Sequence, residues 1–575
     1  MDVGLDGLVA RVRSHVAESS NGGAEPRPIF NWPKKNDLPP GAVGKVAQTD
    51  RNTIVVAVSS GQQPHFREFI EVPFKKADSD NHLLIAQIEL LVGEGVKIGS
   101  ATAQGKISIL GIGADIVATQ DVEETRVRVT AKIIAFIDPL GKVTSHETTI
   151  EYIGRPVYRA KDENLRKIFS ALNNSTTAAL EIGTVLGAPR AIPVVLDPTG
   201  FMRHTAVFGQ SGSGKSFSFG IVLEELLLKT DARILVLDPN SDYCNFRQLR
   251  RVEDVCKDSR REYSSSDHAV VETAWQGMSG QFLRFTRDPT RDGDNKLSLL
   301  FSDLRRQEQG DLLGLDPIAD AQDYRVFRET IETLGGSYTL QRLMDAVSKP
   351  GSMEKFNLLN RISNREIDKL GLWSTPSAVD RLKEDDWKFA SFDLRDLWPL
   401  ERSLVSSAVL KAVYDGVIKS RKVTFIVIDE AHNLCPAVPW AWHQNAPLQI
   451  LLEIAAEGRK YGAFLMLLTQ NPSKLSQQAL IQFDNIILMR MVSGAEIQAL
   501  GAIIPDAGPN LAQKAFTLGK GEAICMGGIV KNETNVKFDL RKTQPGGDDV
   551  SKGWAAHRPL VSAPPATPLA AGAAV

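Results

Sequence analysis

Two hydrophobic rhythms divide the chain. From about residue 31 to 195, apolar and polar residues alternate in short runs separated by turn residues. Asn52–Val58 and Lys106–Ile112 are strand candidates, and Arg126–Phe136 carries the two-residue repeat of a long half-buried strand. Asp138-Pro139-Leu140-Gly141 predicts a turn after the third of these, with Thr148–Ile153 returning antiparallel. Several short strands joined this way predict a small β-barrel. From about 196 the rhythm changes to apolar runs of strand length alternating with helical spacing, as in a parallel sheet with crossover helices. Strands are expected at 204–208, 233–238, 388–394, 423–429, 462–469 and 485–490.

The second and third of these core strands lie far apart. Between them, over about 246–385, Tyr324–Leu334, Thr339–Val347 and Met353–Leu372 have helical spacing and predict a helical subdomain inserted into the sheet domain. The expected organisation is a short helix and linker (1–30), a barrel (31–195), a core in two parts (196–245 and 386–545) flanking the insertion, and a flexible Gly/Pro/Ala-rich tail (546–575).

Bulk chemistry narrows the classes. The chain has 575 residues, 43% hydrophobic and 24% charged, as in a globular protein of about three folding units. A net charge of −2 provides no global basic field, so any positive surface for DNA must be local, for instance lining a channel. The four cysteines, Cys244, Cys256, Cys435 and Cys525, form no C-x-x-C pair, which argues against a zinc site or a disulfide framework. Reduced thiols, no signal-peptide pattern and no apolar run of membrane-spanning length predict a cytoplasmic protein without a membrane segment.

The sharpest chemical signal follows the first core strand. Gly209-Gln210-Ser211-Gly212-Ser213-Gly214-Lys215-Ser216 fits G-x-x-x-x-G-K-[ST], set between a strand and a helix. In such a loop, backbone N–H groups and the positive end of the helix cradle phosphate oxygens. Lys215 would hold the β- and γ-phosphates and Ser216 a Mg²⁺ ion. The apolar run Thr424–Ile428 ends in Asp429 and Glu430, at the strand end where open α/β sheets bind ligands. Asp429 is expected in the Mg²⁺ shell and Glu430 as the base that polarises water. Gln470, ending the next apolar strand, either senses the γ-phosphate or satisfies loop backbone before Pro472. Asp238 either joins the water and metal network or forms an Asp-Pro-Asn turn. Arg459, in Glu457-Gly458-Arg459-Lys460-Tyr461-Gly462, reads as an arginine finger or as a helix C-terminus.

Taken together these segments, with Asp238–Tyr243, Ile428–Leu434 and Thr469–Ser473, resemble the HerA group of HerA–FtsK-type ATPases in order and spacing. The match is strong over about 196–245 and 423–530, and Asn471 departs from the Arg that relatives often carry. The resemblance implies an α/β fold: a RecA-like P-loop core, an N-terminal HAS-barrel and closure into a homo-hexamer. It further implies ATP and Mg²⁺ as ligands, Arg459 acting on the neighbour's nucleotide, and translocation on double-stranded DNA. An effector partner, a nuclease or a sirtuin-type NAD-consuming enzyme, is implied in DNA processing or anti-phage defence. Asn433–Pro447 is the candidate channel loop. The competing reading is an ATP-binding hexameric scaffold that arrays an effector without needing to move DNA. A small-molecule kinase would leave the barrel and the Glu-Gly-Arg-Lys turn unexplained.

Overall fold

The computed structural model describes residues 38–547 except 51, 60–61, 77–78, 97–105, 108–123, 145–151, 174–177, 259–262, 349–352 and 504–510. The expected N-terminal helix, most of the tail, and parts of the strands expected at 106–112 and 148–153 lie outside the described residues.

The first unit is built from β1 (Gly44–Thr49), β2 (Thr53–Val58), β3 (Phe69–Lys76), β4 (Ser79–Val96), β5 (Lys106–Ile107), β6 (Glu124–Ile137), β7 (Val143–Thr144) and β8 (Pro156–Arg159). Six of them close into an antiparallel barrel in the order β4-β3-β8-β1-β2-β6, with β6 pairing back to β4. Alternation explains the closure. Ile54, Val56 and Val58 point to one face of β2 and join Val46, Val72 and Leu84 in the barrel core.

A mixed 12-stranded sheet forms the second unit. It contains β9 (Leu180–Val185), β10 (Pro193–Leu196), β11 (His204–Phe208), β12 (Arg233–Asp238), β13 (Phe282–Thr286), β14 (Asp294–Lys296) and β15 (Phe389–Asp393). It is completed by β16 (Thr424–Ile428), β17 (Ala463–Thr469), β18 (Phe483–Met489), β19 (Glu522–Met526) and β20 (Thr534–Phe538). The order is β10-β9-β20-β19-β18-β11-β17-β16-β12-β15-β13-β14. The run from β18 to β14 is parallel and the other end is antiparallel.

Both faces of the central strands β12, β16 and β17 are buried, which is why they read as largely apolar runs. Val207, Val236, Val427 and Met466 pack with Phe219, Val222 and Leu223 of the helix Lys215–Lys229. The alternate residues Ala206, Leu235, Ile426 and Leu465 face the opposite layer, with Val405 and Val409 of Pro399–Ser420 and Leu451 and Ile454 of Asn445–Glu457.

Three expectations need correction. β9 and β10 fall within the stretch expected to be barrel, yet they extend the large sheet through β20. The insertion is not purely helical, because β13 and β14 continue the parallel sheet beyond β15. Arg284 interrupts the apolar pattern of β13, and its charge is met by Asp294 at 3.0 Å and Asp393 at 3.1 Å. The helix expected over Met353–Leu372 ends at Asn364, before Glu366 turns into the left-handed region at φ 53°.

The barrel meets the core through buried ion pairs. Lys132 on β6 reaches Glu533 at 2.5 Å, and Lys514 bridges Glu533 at 2.8 Å and Glu89 on β4 at 2.5 Å. Burial alone would raise the Glu533 pKa, but Lys514 and Lys132 hold it below its ordinary value of 4.5. A folded-state pKa below the unfolded one gives stability that is full above about pH 4.5 and lost as pH falls through the folded value. Glu533→Gln is therefore expected to cost roughly 1–3 kcal/mol at pH 7. In thermal melts the gap to wild type should narrow below about pH 4.5; a gap independent of pH would remove the ion pair from the account.

Candidate active site

The carboxyl ends of β11, β17 and β16 lie side by side. Phe208 pairs with Thr469, and Leu467 pairs with Ile428. The chain leaving each strand end therefore enters the same space. After β11 the loop 209–214 turns through Gly212 (φ 76°) and Gly214 (φ 91°), a left-handed backbone that favours glycine. Lys215 then opens the helix Lys215–Lys229.

Lys215 Nζ lies 3.2 Å from Glu430 Oε1 and 3.6 Å from Asp429 Oδ1. Ser216 Oγ donates to Asp429 Oδ2 at 3.4 Å. Gln470 Nε2 donates to Glu430 Oε1 at 3.1 Å. The structure thus brings together the loop, both acids and the glutamine from segments more than 200 residues apart. Glu430 itself sits at φ 44°, an unusual conformation for a side chain with Cβ, and Glu430 N–H donates to Asp429 Oδ1 at 2.8 Å.

Burial drives the electrostatics. It pushes the Asp429 carboxyl up to about 6 against the pull of Lys215, and Glu430 adds to the rise. Three buried polar atoms of the phosphate loop and the acid pair have little to satisfy them. Ser213 Oγ and Gln210 Oε1 are buried without a hydrogen-bond partner, and Glu430 Oε2 has only His432 Nδ1, at 3.4 Å. Unsatisfied buried acceptors and a desolvated carboxylate beside a hydroxyl suit a hydrated divalent ion shared with phosphate oxygens. Among the described residues no cluster of three or more His, Cys, Asp or Glu could hold an ion unaided.

His432 was not singled out in the sequence. Its Nδ1 lies 3.1 Å from Thr469 Oγ1 as well as facing Glu430, so it ties the acid strand to β17. Burial lowers its pKa, despite the opposing pull of the nearby Glu430 charge. Its place two residues after Glu430 was the available signal.

Asp238 makes the contacts of a turn-forming residue. Its Oδ1 accepts from Asn240 N–H at 3.3 Å and Asp242 N–H at 3.0 Å, and its Oδ2 from Tyr243 N–H at 2.8 Å. The carboxylate braces the turn after β12. Arg459 lies away from the phosphate loop of its own chain. It precedes β17, at the opposite edge of the sheet, and pairs with Asp484 at the start of β18 at 3.4 Å. The loop Asn433–Pro447 is pinned at its base by Gln444 Nε2 donating to Asn433 O at 3.2 Å, while Val438 and Trp440 are exposed.

The family described as Helicase HerA, central domain, matches residues 180–394. Over those residues the chain is similar to the HerA central domain. It is 23% identical over 471 residues to the DNA double-strand break repair helicase HerA of Pyrococcus furiosus, covering 73% of this chain and 81% of that protein. The protein of the same name from Saccharolobus solfataricus is 24% identical over 413 residues, covering 68% and 73%. A solved structure of plasmid coupling protein TrwB with ADP and Mg²⁺ is a distant likeness, at 14% identity and TM-score 0.42, covering 66% of this chain and 93% of that one. The HerA match begins at β9, which the structure places in the large sheet with the core.

The turn-bracing role of Asp238 makes a prediction. Asp238→Ala leaves three backbone N–H groups without their acceptor, each worth about 1–3 kcal/mol when buried. The melting temperature of the nucleotide-free protein should fall by several degrees. An unchanged melt with lost hydrolysis would return Asp238 to the water and metal network.

Proposed function

We propose that the protein is a ring-forming motor that hydrolyses ATP at sites shared between neighbouring subunits and moves along double-stranded DNA. The placement of Arg459 carries this reading. β17 has seven residues between Arg459 and the Thr469–Gln470 end of the site, a span of roughly 23 Å at about 3.3 Å per residue. Arg459 cannot reach the nucleotide of its own chain across that distance, whereas a finger on an outer edge can enter a neighbour's site. The HerA relatives named as DNA double-strand break repair helicases support DNA as the track, and the resemblance supports six copies.

Within one protomer, backbone N–H groups of 209–216 and Lys215 bind the triphosphate. A cleft of about 310 Å³ lined by Gly214, Phe217, Lys520, Gly521 and Leu540 offers room for the nucleoside. Ser216 and Asp429 would hold Mg²⁺, which supplies Lewis-acid polarisation of the phosphate oxygens. Once Lys215 turns to phosphate, Glu430 loses a cationic partner and its carboxylate is available to polarise water. Gln470, hydrogen-bonded to Glu430, reports the state of the γ-phosphate to β17 and, through His432 and Thr469, back to the acid strand. The loop 433–447, where Val438 and Trp440 are exposed, is on this reading the candidate to face the channel. An effector, a nuclease or a sirtuin-type NAD-consuming enzyme acting in DNA processing or anti-phage defence, belongs to this reading on the strength of the resemblance.

Lys215→Ala should abolish detectable ATP binding by calorimetry. Glu430→Gln should bind ATP normally and hydrolyse it about 10²–10⁴-fold more slowly; normal turnover would remove Glu430 as base. The wild-type rate should rise with long duplex DNA and fall back as salt is added. Equal rates with and without DNA, at every salt concentration, would instead favour a scaffold that binds ATP to array an effector.

A further inference from the structure

The barrel sends one side chain to the underside of the nucleotide site. Arg67 lies just before β3, and its guanidinium is buried between barrel and core, 13% exposed. Arg67 Nη1 donates to Glu522 Oε2 at 3.0 Å, and Nη2 donates to Thr517 Oγ1 at 3.2 Å. Both acceptors flank the turn Leu518-Gly519-Lys520-Gly521. Glu522 Oε2 also accepts from Gly519 N–H at 2.8 Å, and Lys537 Nζ donates to Lys520 O at 2.6 Å. The turn is therefore clamped from below by the barrel and from the side by β20.

Its upper surface touches the phosphate loop. Gly521 N–H donates to Ser213 O at 2.9 Å, the residue two before Lys215. A Cβ on Gly214 would lie 3.4 Å from Gly521 N, so the two backbones are in contact. Lys520 and Gly521 also line the cleft assigned to the nucleoside.

Arg67 is held in place at a cost. It sits at φ 69°, the left-handed region, and its own backbone is fixed on both sides. Its N–H donates to Ile88 O at 2.9 Å, and its carbonyl accepts from Gln87 Nε2 at 3.0 Å. Gly187 packs so closely that a Cβ there would lie 2.2 Å from the Arg67 carbonyl oxygen. A strained backbone that is over-determined by its neighbours is typical of residues with a positioning task.

We propose that Arg67 is a positioning residue for ATP: through Glu522 and Thr517 it sets the 518–521 turn, and through Gly521 that turn sets the phosphate loop. The barrel thereby forms part of the support of the nucleotide site, and a shift of the barrel against the core is transmitted to Ser213. The inference rests on the 209–216 loop binding ATP.

The interface supplies its own control. Lys132–Glu533 also joins barrel to core, and although Glu533 leads on through Lys514 to Thr517, removing Lys132 leaves the Lys514–Glu533 pair and the Thr517 contact in place. Arg67→Ala and Lys132→Ala in the full chain should lower the melting temperature by similar amounts. ATP affinity by calorimetry should drop about tenfold in Arg67→Ala and stay within about twofold in Lys132→Ala. In steady-state hydrolysis Arg67→Ala should raise KM with kcat within about threefold of wild type, because the reacting groups are untouched. Arg67→Lys, which can keep one contact to Glu522, should recover part of the affinity and serves as the readout if Arg67→Ala fails to fold. Equal loss of affinity in Arg67 and Lys132 variants, or wild-type affinity in both Arg67 variants, would overturn the proposal. Lys215→Ala run alongside separates the failures: if it binds ATP as wild type does, the nucleotide reading itself has failed.

Discussion

Everything in the site depends on parallel strands that end on the same edge of one sheet. β17 lies between β11, which delivers the phosphate loop, and β16, which delivers the acids. Because the three run in the same direction, Phe208, Thr469 and Ile428 leave the sheet together. Lys215, Glu430 and Gln470 can then meet within about one hydrogen bond of each other although they are remote in sequence. An antiparallel β17 would send Gln470 to the far edge, where Arg459 sits. The same geometry that assembles half of the chemistry at one edge leaves the arginine at the other.

The second constraint is charge in a place with little water. Asp429 is buried, and Lys215 is its neighbouring cation within the site. Its raised pKa expresses the cost of keeping a carboxylate there. A phosphate-bound cation would relieve that cost, while the same phosphates would draw Lys215 off Glu430. Binding and activation of the base are in this view one electrostatic exchange. Charge also organises the junction with the barrel, where Lys132, Lys514 and Arg67 meet Glu533, Glu89 and Glu522 in partly or fully buried pairs. Such pairs contribute orientation as well as energy, because each needs a fixed geometry to offset desolvation.

Much of this was legible in the chain, for identifiable reasons. β11, β12, β16 and β17 are apolar on both faces, so their runs stand out, and the loop 209–216 has a fixed spacing. The barrel strand β6 alternates visibly. β13 was hidden because Arg284 breaks its apolar run, and the two carboxylates that neutralise it come from β14 and β15. β9 and β10 look like barrel strands because antiparallel edges of both sheets share one periodicity. Asp238 could not be assigned from Asp-Pro-Asn, since a turn and a metal site use the same residues, and the three N–H groups at hydrogen-bond distance are visible only in the fold. Arg67 and Glu522 are 455 residues apart, and no local pattern announces such a pair.

The claim with the most consequences is that the nucleotide is held by one subunit and attacked with help from the next. It is tested most directly by mixing two inactive variants. Arg459→Ala subunits keep Glu430, and Glu430→Gln subunits keep Arg459, so co-assembled rings contain some interfaces with both groups intact. The account predicts that the mixture hydrolyses ATP well above either variant alone. A mixture no faster than the average of its parents would show that each subunit completes its own site, and would contradict the account.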